Sequence, residues 1–250
     1  MSDLLTEALT YPGLGWIALG ALIAGAVRGF SGFGTALVFL PVAGQFLSPI
    51  WALTVLTVMD AFGPLPTLRK TVKSAALKDV QRLWFGMVLA LPLGLLVLTQ
   101  LDPWVFRTLV SVAALCVPLL LLAGLRYTGP MTPPVMLATG AASGFLGGVA
   151  GVPGPPVILL YMASTSAPAL IRANTMIFLF LFDLTLLAFI GLTGQLDALP
   201  VMIGLLMALP TMLGTVIGTA IFHPDRARLY RGAGYIIVMA SALRGLPIWG

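Results

Sequence analysis

Residues 143–162 read SGFLGGVAGVPGPPVILLYM, and residues 28–41 read RGFSGFGTALVFLP. Each stretch interrupts a long apolar block with glycine. A helix does not run cleanly through Pro153, Pro155 and Pro156, because proline has no N–H to give and its ring clashes with the preceding turn. The blocks that hold these stretches, 13–46 and 134–164, are too long for one membrane crossing and too short for two at about 20 residues each. Both are therefore expected to be re-entrant hairpins of two half-helices. Broken backbone at that depth is tolerated only where protein or a wet cavity satisfies its polar groups.

The rest of the chain agrees with a bilayer setting. Of 250 residues, 59% are hydrophobic and 8% charged, against roughly 25% charged in a soluble domain. A soluble domain and a disordered chain are both excluded. One cysteine, Cys116, excludes a disulfide scaffold, and one histidine, His223, argues against a zinc or catalytic cluster. The apolar runs are continuous, whereas a membrane barrel alternates. The net charge of +5 comes from basic residues lying between apolar runs. It speaks to orientation in the bilayer, not to nucleic acid.

Six further blocks follow: 49–66, 80–100, 104–126, 170–192, 197–222 and 230–247. Trp16, Trp51, Trp84 and Trp104 fall near block starts and Trp249 follows the last block, as interfacial rings do. The chain also repeats. A shift of 115 residues places Gly25, Gly29, Phe30, Gly32 and Pro41 on Gly140, Gly144, Phe145, Gly147 and Pro156. A shift of 118 places Gly86 and Pro92 on Gly204 and Pro210. This predicts one membrane domain over 1–250, with a first repeat at about 12–126, a linker at 127–134 and a second repeat at about 134–247.

Loop charge orders these pieces. Arg69, Lys70, Lys73, Lys78 and Arg82 lie in one connection, and Arg226, Arg228 and Arg231 in another; both should face the cytoplasm. They share a side only if block 134–164 enters and returns. The expected fold is an all-α polytopic membrane protein of two inverted repeats, each a broken re-entrant hairpin plus three transmembrane helices, a recurrent transporter plan.

A half-helix start exposes unpaired N–H groups and a positive dipole end, which suit an anion. Gly29, Gly32, Gly34, Gly147, Gly148, Gly151 and Gly154 would let a ligand approach the backbone, with Ser31, Thr35 and Ser143 adding hydroxyls. The alternative is helix packing through small residues, preferred for Gly25 and Gly140. Arg28 precedes the first break, so it is either a substrate-binding cation or half of an ion pair with Asp60 or Asp183. Those two carboxyls are candidates for proton or cation coupling, or for helix-to-helix contacts. Arg172 reads as an interfacial anchor, and Asn174 as a helix bridge or a substrate contact. Cys116 reads as packing and His223 as interfacial. No metal site and no cofactor are expected, and no nucleophile–base pair points to an enzyme.

Together, RGFSGFGTALVFLP and SGFLGGVAGVPGPPVILLYM in two halves of such a chain resemble the sulfite exporter TauE/SafE family, also called the four-toluene-sulfonate uptake permease family. The resemblance covers nearly the whole chain. It rests on Gly29, Phe30, Gly32, Gly34 and Pro41, then on Gly144, Phe145, Gly147, Gly148, Gly151 and Pro156. It implies secondary transport of small organosulfur anions across the bacterial cytoplasmic membrane, with lipid and a small anion as the partners. With the interior negative, uncoupled movement of an anion runs outward, so export is the expected direction. A non-transporting accessory subunit and an anion channel are the rival readings, and oligomeric state is left open.

Overall fold

The computed structural model describes residues 2–31, 34–62, 68–123, 127, 129–161, 167–221 and 227–247. Within them the protein is all-helical, with twelve helices and no strand. The order is α1 (Ser2–Leu9), α2 (Leu14–Ser31), α3 (Thr35–Ala43), α4 (Pro49–Ala61), α5 (Leu68–Ser74), α6 (Leu77–Thr99), α7 (Pro103–Leu122), α8 (Pro133–Ala150), α9 (Gly154–Tyr161), α10 (Pro168–Leu192), α11 (Ala198–Ile221) and α12 (Ala227–Gly245). Five of these (α6, α7, α8, α10 and α11) are long and apolar enough to cross a membrane. A sixth span arises if α1 and α2, bent by 76°, are one. The protein is a multi-pass membrane protein.

Both broken blocks fold back on themselves. The first chain reversal lies between Ser31 and Thr35. Beyond it, Val42 of α3 returns to pack on Gly20 of α2, and Tyr11 Oη donates to the Phe46 carbonyl at 3.1 Å. In the second, the Tyr127 N–H donates to the Leu159 carbonyl at 3.3 Å, so α9 comes back to the start of α8. Glycine makes the reversals: Gly34 has φ +100 ahead of α3, and Gly151 has φ +67 at the end of α8. Other residues adopt such angles only at a cost.

The arms are unequal, which corrects the expectation of two half-helices. α2 and α8 each run 18 residues, about 27 Å, while α3 and α9 have nine and eight. The reason is that Gly25, Gly29, Gly140, Gly144, Gly147 and Gly148 sit inside the long arms without breaking them. Most of these glycines are contact points. A Cβ on Gly25 or Gly29 would strike backbone of Thr211 or Thr215 on α11. One on Gly214 or Gly218 would strike Leu22 or Ala26 on α2. Contacts advance in the same direction on both helices, so α2 and α11 run parallel. α6 and α8 pair in the same way, Gly86 and Gly94 against Leu137 and Phe145, Gly140 and Gly144 against Leu83 and Met87. Small residues allow this close approach where lipid provides no hydrophobic drive for association.

Block 49–66 is also corrected. α4 stops at Ala61 because Gly63-Pro64 and Pro66 follow, and a proline disfavours helical backbone in the residue before it. α5 is a separate short helix, and α1 precedes the first block. Neither was expected. Cys116 is exposed on α7 rather than packed inside.

Cross-helix bonds mark the two ends of the bundle. The near end holds Tyr11, Phe46 and Trp51, whose Nε1 donates to Asp197 Oδ2 at 2.8 Å. The far end holds Asn174. Its Oδ1 accepts from the Ala76 N–H at 2.8 Å, and its Nδ2 donates to Tyr161 Oη at 2.9 Å. The first hairpin leaves and rejoins the near end, and the second leaves and rejoins the far end.

Candidate functional site

Arg28 lies in the last turn of α2, where the negative end of the helix dipole favours a cation. Its Nη1 is 2.8 Å from Asp60 Oδ1, and the two side chains are 18% and 15% exposed. Asp60 is in the last turn of α4, brought there by the early stop at Ala61. The Thr35 side chain, from the first turn of α3, lies beside the same carboxylate. Of the partners considered for Arg28, the structure thus selects Asp60.

Asp183 sits in α10, 8% exposed. It lies within electrostatic range of Asp60 and Arg28 and has no hydrogen-bond or ion-pair partner among the described residues. Antiparallel packing explains the approach. Trp51 at the start of α4 meets Asp197 just past the end of α10, so the two carboxyls fall at similar depth. With both ionised, two negative groups face one guanidinium.

Among the described residues, nothing approaches a Cβ on Gly34 more closely than Val27 Cγ1 at 3.5 Å. The Val38 N–H is the first to bond within α3, to the Gly34 carbonyl, which leaves the N–H groups of residues 35–37 without intrahelical partners. Gly32 lies outside the described residues, as does the side chain of Ser31.

The second break differs. A Cβ on Gly151 would strike Leu53 and Leu40, and one on Gly147 would strike Phe182 and approach Pro153. One on Gly148 would come within 2.7 Å of the Leu91 oxygen. Among the described residues, nothing comes closer to a Cβ on Gly154 than Ile158 Cδ1 at 3.7 Å. Pro155 and Pro156 occupy the first turn of α9 and remove two donors there. The second tip is an apolar wedge. Both tips border α4, one at Leu53 and the other at Asp60, about 10 Å apart along its axis. Ser143, aligned with Arg28 by the repeat, is fully buried in α8 with its hydroxyl unpartnered.

Other predicted positions resolve simply. Asn174 bridges helices through Ala76 and Tyr161, and Arg172 is exposed. His223 and Arg226 fall outside the described residues. Sequence reasoning did not anticipate Tyr161, nor the bond from Trp84 Nε1 to Thr185 Oγ1 at 3.0 Å. Neither has a local signal, because each partner is distant in the chain.

The model of the sulfite exporter TauE/SafE family matches residues 17–245. The chain belongs to the sulfite exporter TauE/SafE family. No curated protein and no solved structure matches it significantly. TauE/SafE proteins form a transporter family, and the matched region takes in both hairpins, Arg28, Asp60 and Asp183.

Proposed function

We propose that this protein is a secondary transporter that exports small sulfur anions, such as sulfite or sulfonates, across a bacterial cytoplasmic membrane. The observation that carries the reading is a cation, Arg28, at the broken tip of a hairpin inside a chain of this family. The anion would be held by Arg28, Thr35, Ser31, Gly32, Gly34 and the backbone N–H groups of the first turn of α3. Gly154 and the Ser143 hydroxyl would contribute from the second half. Gly29, Gly147, Gly148 and Gly151 are left to packing.

The two halves would be inverted repeats that rock against each other. Hairpins entering from opposite ends support this, as does the exchange of partners between halves, α2 with α11 and α8 with α6. The far end would face the cytoplasm, since Arg69, Lys73, Lys78, Arg82 and Arg172 gather there. Moving one negative charge outward gains about 2.3 kcal/mol per 100 mV, which supports export. Asp60, which stands beside Arg28, is the group through which a proton would be coupled.

Liposomes containing the purified protein and loaded with labelled sulfite test the reading. Saturable efflux, absent from protein-free vesicles, is expected. No efflux refutes transport, and efflux that rises linearly without saturating makes the protein a channel.

A further inference from the structure

We propose that Asp60 is a resident competitor of the substrate: its carboxylate occupies the donors that the anion needs, and it leaves them as a neutral carboxyl when the anion binds. The proposal rests on the transport reading above. Arg28 Nη1 stands 2.8 Å from Asp60 Oδ1, and the buried Thr35 side chain lies beside the same group. These are the cation and the hydroxyl assigned to the substrate. A guanidinium presents its fork to a carboxylate and to the oxygens of a sulfur oxyanion in the same way, so the two acids compete for one place.

The surrounding charges decide what happens to the displaced group. α2 contributes Arg28 and α10 contributes Asp183. Arg172, also on α10, is exposed at the far end. α3 and α11 carry no charged side chain, and the charged residues of α6, Lys78, Asp79 and Arg82, cluster at its far-end start. An anion arriving without a proton would gather up to three negative groups around one guanidinium in a sheltered site. Such an uncompensated charge is costly in low dielectric. The exchange balances when the Arg28–Asp60 pair, a monoanion and one proton become an Arg28–anion pair and a neutral Asp60. No covalent bond changes.

Direction then depends on the charge of the substrate. A monoanion crosses with its proton as a neutral unit, so the potential adds nothing and a sufficient outward concentration gradient must drive its export. A dianion with one proton still carries one negative charge, which the membrane potential drives outward.

Isothermal titration of methanesulfonate into the detergent-solubilised full-length protein, in two buffers of different ionisation enthalpy, counts the protons taken up. Methanesulfonate remains a monoanion near neutral pH, so the proton must land on the protein. The wild type should take up about one proton per anion bound. Asp60→Asn should bind at least about tenfold more tightly, because a competitor that holds the site nine-tenths of the time lowers apparent affinity by that factor. It should take up no proton, while Asp183→Asn should keep the uptake. Binding without proton uptake in the wild type overturns the proposal. So does uptake that survives Asp60→Asn, or uptake lost in Asp183→Asn. If Asp60→Asn does not fold, the wild type and Asp183→Asn decide. Binding to none of the proteins overturns the transport reading itself, a result distinct from binding without protons.

Discussion

Gly144→Ala probes the close packing on which both hairpins depend. A Cβ at this position would meet Met87 Cα at 2.8 Å and Met87 C at 2.9 Å, and would press harder still on the Met87 oxygen. Carbon atoms rest at about 3.5–4.0 Å, so α8 must retreat from α6 by at least ~0.7 Å at this point. Every obstructing atom is backbone, and no side chain can swing aside. Overpacking of this kind costs about 1–3 kcal/mol, offset by up to about 1 kcal/mol of helix propensity gained over glycine. Against the full offset a net loss of up to about 2 kcal/mol remains, as much as roughly a 30-fold change in the folded-to-unfolded ratio. Gly15→Ala is the control: it lies in α2, where nothing stands within 4 Å of a Cβ, and it should be neutral or stabilising. Unfolding in detergent, followed by tryptophan fluorescence, compares the two. A Gly144→Ala protein as stable as Gly15→Ala would refute the packing argument.

Gly34→Ala has room for its methyl group but must hold φ near +100, so it should lose about 1–3 kcal/mol through the backbone alone. Gly154→Ala, equally open and without that angle, should lose little in the same unfolding assay. Asn174→Leu strands the Ala76 N–H and the Tyr161 hydroxyl, each at a cost of about 1–3 kcal/mol. Adding Tyr161→Phe should recover part of the lost stability, and no recovery would mean that the Asn174–Tyr161 bond contributes nothing.

The sequence carries the local features of this fold and few of its long-range ones. Gly34, Gly151 and Pro153 announce chain reversals because each acts through its own backbone. The stripes Gly25-xxx-Gly29 and Gly140-xxx-Gly144-xxx-Gly148 announce close contacts, though not their partners on α11 and α6. Gly29 and Gly34 are the same residue type five positions apart. One is pressed on α11 and the other turns the chain beside an open space, a difference that only tertiary structure makes. The choice of Asp60 over Asp183 for Arg28 was hidden for a similar reason. It follows from α4 ending at Ala61, and Gly63-Pro64 reads equally well as a kink within a longer span. At the second break the prolines were visible from the start. Their cost is also local: they withdraw N–H donors from the helix start beside the glycines, which leaves an apolar tip.

In the proposed transport cycle Arg28 holds the anion at the tip of the first hairpin. Efflux of labelled sulfite from liposomes, compared between the wild type and Arg28→Gln at equal amounts of folded protein, tests it most directly. The loss of a charge-assisted pair worth about 1.5–3 kcal/mol predicts a fall in efflux at subsaturating sulfite of roughly 10- to 150-fold. Efflux equal to that of the wild type would contradict the claim.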